Sequence, residues 1–178
     1  GSPYGAALDG ASVKNVEITS NSDYCMGYVS AGGNLSNVTI ENVTATANGQ
    51  PITPADAKAS IGDTVYFSLS SAISALKDGD TLTIYAGEIS EGTIKFPASL
   101  KNVTIKGRTG AVLKDMTLMA CDGSNIAYEG ITFDGIVFDN SNILFSGQRA
   151  SASFKDWTIA NCEFKNVARG NAAVSFNL

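Results

Sequence analysis

Residues 128–138 read Tyr128-Glu-Gly-Ile-Thr-Phe133-Asp-Gly-Ile-Val-Phe138, two overlapping copies of one six-residue phrase: apolar, any, Asn/Asp/Gly, apolar, any, apolar. Working outward, the phrase returns at Ile159-Ala-Asn-Cys-Glu-Phe164 and, except for its last residue, at Phe164-Lys-Asn-Val-Ala-Arg169. Upstream it returns at Leu113-Lys-Asp-Met-Thr-Leu118, Leu100-Lys-Asn-Val-Thr-Ile105, Ile40-Glu-Asn-Val-Thr-Ala45, Leu35-Ser-Asn-Val-Thr-Ile40 and Val13-Lys-Asn-Val-Glu-Ile18. Asn, Asp and Gly accept a left-handed backbone at low cost, so each phrase predicts two short strands joined by a one-residue bend. The bend residues are Asn15, Asn37, Asn42, Asn102, Asp115, Gly130, Gly135, Asn161 and Asn166. Repetition on this scale predicts an all-β solenoid, with the apolar slots inside and the Thr residues on a wet outer face.

One segment breaks the strand pattern. Ser68 can cap a helix whose apolar residues Leu69, Ala72, Ile73 and Leu76 recur at helical spacing, and Lys77 and Gly79 end it. The expectation is a capping helix at about 69–77, followed by the alternating strand Thr81-Leu-Thr-Ile-Tyr85.

The chain has 178 residues, 44% of them hydrophobic and 16% charged, which suits a globular domain with a real core. A net charge of −5 offers no basic footprint for phosphates, so nucleic acid is excluded as a partner. No apolar run reaches the length of a membrane span, so membrane insertion is not expected. No signal peptide is recognised, and Gly1-Ser2 looks like an expression scar. The absence of histidine removes His-dependent triads, His-ligated zinc and imidazole acid–base chemistry. Three cysteines, Cys25, Cys121 and Cys162, lack metal-ligand spacing; they read as buried free thiols, with a Cys121–Cys162 contact as the remote alternative.

The run Val65-Tyr-Phe-Ser-Leu-Ser-Ser-Ala-Ile-Ser-Ala-Leu-Lys-Asp-Gly-Asp-Thr-Leu-Thr-Ile-Tyr-Ala-Gly-Glu-Ile89 resembles the opening of right-handed parallel β-helix proteins of the pectate-lyase-like superfamily. The resemblance implies a helix over the first coil, three short parallel strands in each coil, and left-handed Asn bends whose side chains stack in a ladder. Asn125-Ile-Ala-Tyr-Glu-Gly-Ile-Thr-Phe-Asp-Gly135, with Asn142-Ile-Leu-Phe145 and Asn161-Cys-Glu-Phe-Lys-Asn-Val167, is similar to surface β-helix proteins of anaerobic gut bacteria. The likeness covers residues 62–178 well, and 10–48 by the phrase alone. Asn37, Asn42 and Asn102 also match the N-glycosylation pattern, but Asp or Gly fills the same slot elsewhere, so they read as structural.

The order of parts is awkward for a simple stack, because phrases stand on both sides of the helix. Residues 1–50 read as N-terminal coils, 51–60 as a linker and 61–178 as the β-helix domain of about five coils. The N-terminal block then either closes the far end of the stack, in cis or by exchange with a neighbour, or ends a preceding unit. Bare solenoid ends also make self-association an expectation.

β-helix enzymes of that superfamily act on polysaccharides, with carboxylates, Ca²⁺ or an Arg or Lys base. The candidates are Asp122, Asp134, Asp139 and Asp156 with Arg149, Lys155 and Arg169, yet none forms a recognisable catalytic motif. Asp134 and Asp139 read as solvated turn carboxylates, with a shared Ca²⁺ or a glycan contact as the alternative. No other cofactor is expected. Tyr128, Phe133, Phe138, Phe164 and Trp157 share the inward phase; Tyr24, Tyr28 and Tyr66 fall outside the phrase as candidate exposed contacts. The polar loop holding Arg149 is a further candidate. The reading reached is a non-catalytic binding module, secreted or on a bacterial cell surface, for a host glycan or glycoprotein such as immunoglobulin. Asp134, Asp139, Arg149, Tyr24 and Tyr28 are its candidate binding residues, and a truncated polysaccharide lyase or glycoside hydrolase is the alternative.

Overall fold

The computed structural model describes residues 12–20, 39–47, 50–51, 57–120, 126–146, 153–168 and 172–177. Tyr24, Tyr28, Asn37, Cys25, Cys121, Asp122, Arg149 and Arg169 lie outside them.

The chain enters through β1 (Ser12–Ser20), β2 (Thr39–Ala47), β3 (Gln50–Pro51), β4 (Ala59–Ile61), β5 (Thr64–Tyr66) and α1 (Leu69–Ser74). Four turns of solenoid follow. Turn one holds β6 (Thr81–Ile84), β7 (Gly87–Ile89), β8 (Thr93–Lys95) and β9 (Leu100–Lys101). Turn two holds β10 (Thr104–Gly107), β11 (Ala111–Lys114), β12 (Thr117–Met119) and β13 (Ala127–Glu129). Turn three holds β14 (Thr132–Asp134), β15 (Val137–Asp139), β16 (Asn142–Ser146) and β17 (Ser153–Lys155); turn four holds β18 (Thr158–Ala160), β19 (Glu163–Lys165) and β20 (Val174–Asn177). Like strands of successive turns pair in parallel, giving columns β6-β10-β14-β18, β7-β11-β15-β19, β8-β12-β16-β20 and β9-β13-β17. The fold is a parallel β-solenoid.

Two expectations change here. Each turn has four strand positions rather than three, and there are four turns rather than five. The in-register column Thr81, Thr104, Thr132, Thr158 shows why, because its turns take 23, 28 and 26 residues, and turns of that length leave room for fewer of them.

Alternation puts every second residue inside. Leu82, Ile84, Ile105, Leu113, Phe133, Ile136, Phe138, Ile143 and Phe145 are wholly buried. Parallel register stacks like on like: Tyr128 lies over Phe154 at 5.8 Å and 2°, and Phe138 over Phe164 at 4.6 Å and 6°. Tyr66 is half-buried against this core rather than exposed. Cys162 is free and half-buried, and burial raises its thiol pKa.

The helix is shorter than expected, six residues, and its N-terminus is held from two sides. Ser68 Oγ accepts from Ser71 N–H at 3.2 Å, and the Glu91 carboxylate accepts from the Leu69 and Ser70 N–H groups at 2.8 Å each. Leu69, Ala72 and Ile73 are fully buried on the stack's first turn.

The N-terminal block is placed differently from the far-end closure expected above. β4 and β5 form an antiparallel hairpin, β4 pairs antiparallel with β6, and β2 pairs antiparallel with β5 at Ile40 and Val65. The sheet order β1-β2-β5-β4-β6 therefore sets the block beside the first turn, on the capped side. The hairpin explains it: β4 starts at Ala59, 12 positions beyond Ala47 at the end of β2, so the hairpin's edge is the first one the chain offers, whereas the far end lies four turns away.

Candidate functional site

The outer corners are where the phrase puts its polar residues. Between the fourth column and the next turn's first stand Asn102 (φ 55°), Gly130 (66°) and Asp156 (53°). Between the first and second columns stand Gly135 (68°) and Asn161 (51°). Between the second and third stand Gly92 (70°), Asp115 (53°), Asn140 (47°) and Asn166 (54°). Asn15 and Asn42, with φ of 55° and 49°, bend β1 and β2 in the same way.

Three corner residues, Gly92, Asp156 and Asn140, were missed in the sequence. Phe154-Lys-Asp-Trp-Thr-Ile159 is a full copy of the phrase, so Asp156, weighed as a catalytic acid, is a bend residue. Phe138-Asp-Asn-Ser-Asn-Ile143 is disguised because Ser141 fills an apolar slot. The Ser141 side chain is buried, yet its hydroxyl accepts from Met116 N–H at 2.8 Å and donates toward the Leu113 and Asp139 carbonyls, each at 3.0 Å. It replaces an apolar contact with hydrogen bonds that a side chain of that size can supply.

Side-chain amides link the corners vertically. Asn161 Nδ2 donates to Asp134 Oδ1 at 2.7 Å, Asn166 Nδ2 to Asp139 Oδ1 at 2.6 Å, and Asn140 Nδ2 to Asp115 Oδ1 at 2.6 Å. Asn42 Nδ2 donates to Asn15 Oδ1 at 2.8 Å, so the amide of this glycosylation-pattern residue is engaged. Asp134 and Asp139 thus sit at different corners of turn three, each clasped by the turn above.

Charges alternate along one flank. Lys114 Nζ meets the Glu88 carboxylate at 3.1 and 3.2 Å, and Lys165 Nζ stands 3.6 Å from Asp139 Oδ2. The Asn166 amide, then the Lys165 and Lys114 ammonium groups, hold the Asp139 carboxyl below its usual range. The Glu88 hydrogen bond and charge raise the Lys114 pKa. On neighbouring faces, Lys101 pairs with Glu129 at 3.5 Å and Lys14 with Glu41 at 2.7 Å. Arg108 stacks its guanidinium 4.1 Å above the Tyr85 ring.

Among the described residues no group of three or more Cys, Asp and Glu side chains is gathered as a metal site, and no buried side-chain N or O atom lacks a hydrogen-bond partner. The corner and flank groups mostly face each other. Comparison with protein-family models, curated proteins and solved structures finds no match to this chain.

Proposed function

We propose that the chain is a non-catalytic binding module whose rigid solenoid flank is presented to a glycan or glycoprotein, as part of a secreted or surface-attached bacterial protein. The observation that carries this reading is the engagement of the acids: Asp134 and Asp139 accept amides from Asn161 and Asn166, and Asp139 also faces Lys165. Carboxylates committed to a structural ladder are poorly placed to exchange protons with a substrate, since catalysis needs an acid and a base poised on the reacting atoms. The left-handed Asn corners and the helix over the first turn also support kinship with the pectate-lyase-like β-helices, which we keep as a proposal resting on fold alone.

The test runs a lyase absorbance assay on pectic and host acidic polysaccharides beside a glycan array and a panel of glycoproteins including immunoglobulin. Retained binding with no turnover supports a module. Turnover that disappears in Asp134→Asn or Arg149→Ala would overturn it in favour of a polysaccharide-degrading enzyme.

A further inference from the structure

We propose that the outer face of the first strand column, around Arg108 and Lys106, is a docking surface for a sulfated glycan laid along the stack. The inference rests on the binding-module reading above and names its ligand class. On other faces of the solenoid, cations are matched by acids: Lys101 faces Glu129, Lys114 faces Glu88 and Lys165 faces Asp139. Lys106, Arg108 and Lys58 have no ion-pair partner among the described residues, although the chain as a whole carries −5. A local excess of positive charge on an acidic chain calls for an anion from outside it.

The strand register gathers these cations. Thr83, Lys106 and Asp134 share one row across successive turns, and Ile84 lies opposite Gly107, which sets Arg108 beside Tyr85. Arg108 N–H donates to the Ile84 carbonyl at 2.8 Å, and its guanidinium lies 4.1 Å above the Tyr85 ring. One face of the guanidinium is thereby occupied and its N–H edge is left for an anion. Lys58 stands on the next strand, where its carbonyl accepts from Tyr85 N–H at 2.8 Å. Asp134 is the acid in this row, and its Oδ1 accepts the Asn161 amide at 2.7 Å.

A row of hydroxyls runs beside the cations. Thr81, Thr104, Thr132 and Thr158 are in register, and alternation turns the first three outward because Leu82, Ile105 and Phe133, which follow them, are wholly buried. Thr81, Lys106, Arg108 and Thr158 are exposed. One hydroxyl therefore recurs per turn, at the strand spacing of about 4.8 Å, which is close to the length of one sugar ring in an extended glycan. The anion is named by its donors, a guanidinium edge, an ammonium group and hydroxyls that reach out from different strands. A sulfate ester offers such a set three terminal oxygens and a permanent charge, whereas a carboxylate offers two oxygens in one plane.

Titration calorimetry of the full chain tests this with four probes: a sulfated glycosaminoglycan oligosaccharide, its desulfated form, polygalacturonate and a single-stranded oligonucleotide. The sulfated oligosaccharide should bind best, and less well as salt is raised. Arg108→Met keeps an aliphatic cover on Tyr85 and removes the charged edge, so it should weaken binding more than about tenfold. Lys106→Met should weaken it less, since an ammonium group is a point charge without the fork of a guanidinium. Thr104→Val, which removes one hydroxyl at nearly constant volume, should weaken it several-fold, and Lys165→Met, which takes the same charge from the second column, should leave it unchanged. No binding of the sulfated oligosaccharide overturns the proposal. So does equal binding of any other probe, binding that survives Arg108→Met, or binding lost as fully in Lys165→Met, with circular dichroism unchanged in each variant. Turnover of a bound glycan would instead overturn the module reading, so the two fail separately.

Discussion

The Asn140 side-chain amide donates to the Asp115 carboxylate at 2.6 Å, and the two residues hold the same corner of successive turns with φ of 47° and 53°. One residue type meets both demands: Asn tolerates the left-handed backbone, and its amide carries a donor on one side and an acceptor on the other. Such a corner can be copied from turn to turn, and the copies clasp one another.

The first prediction separates those two roles. Asn140→Gly keeps the backbone unstrained and loses only an exposed hydrogen bond, whereas Asn140→Ala adds about 1 kcal/mol of left-handed strain and Asn140→Val more. Urea denaturation should rank stability as wild type, Gly, Ala, Val. A variant with Val as stable as Gly would show that the corner does not demand this backbone.

The second concerns Ser141, whose hydroxyl is buried among apolar neighbours and hydrogen-bonded to Met116 N–H and the Leu113 carbonyl. Ser141→Ala leaves the Met116 amide without that acceptor and should cost about 1–3 kcal/mol. Ser141→Val restores the phrase's apolar slot in sequence but should be no better, because it supplies no acceptor. Equilibrium urea unfolding of both variants measures it.

The contrast between Ser141 and its neighbours shows what the sequence made legible. Corners announced by Asn, Asp or Gly between apolar slots could be read directly, because strand alternation and left-handed tolerance are both local. The corner at Asn140 could not, since a hydrogen bond to residues 25 and 28 positions away stands in for hydrophobicity. Asp156 was weighed as an acid because its type was read before its slot. The number of turns was misjudged because extra residues at corners, such as Arg108-Thr109-Gly110, lengthen a turn without adding a phrase. The place of β1 and β2 was hidden for a different reason: the phrase fixes how a strand bends, and says nothing of which neighbouring edge it meets. For the candidate site, residue types alone could not reveal that Asp134 and Asp139 each receive an Asn from the turn above.

A third prediction uses the closest approach between turns. A Cβ added at Gly107 would lie 2.5 Å from the Gly135 carbonyl oxygen and 3.0 Å from the Ala111 methyl. Because the nearer atom is backbone, no rotamer change relieves it, and Gly107→Ala should destabilise by about 1–3 kcal/mol. Gly79→Ala meets no atom within 4 Å, so only its φ of 82° opposes it. Thermal unfolding of the pair separates a clash between turns from backbone strain alone.

The fourth concerns the cap. Glu91 reaches back 21 and 22 residues to the first two amides of α1, a charge-assisted replacement for the partners a six-residue helix cannot find within itself. Glu91→Ala should cost about 1–2 kcal/mol, and Glu91→Gln less because it keeps an acceptor oxygen. Amide exchange should quicken first at Leu69 and Ser70, ahead of the core amides. Uniform loss of protection across the solenoid would mean the helix has no separate hold on the first turn.

The fifth follows from Asp139. Its carboxyl is held below the ordinary aspartate range in the folded chain, first by the Asn166 amide and then by Lys165, so the folded state prefers the ionised form. A depressed folded pKa gives stability that is present above the unfolded value and is lost as pH falls through the folded one. Asp139→Asn keeps an acceptor for Asn166 and removes the charge, so wild type should be the more stable at pH 7 and the two should converge under strongly acidic conditions. Lys114 works in the opposite direction, since Glu88 raises its pKa above 10.5; that contribution is fully present at neutral pH and fades as pH rises through the folded value. Melting temperatures of wild type, Asp139→Asn and Lys114→Met across pH test both signs. A gap between wild type and Asp139→Asn that widens on acidification would show that the ladder does not favour the carboxylate.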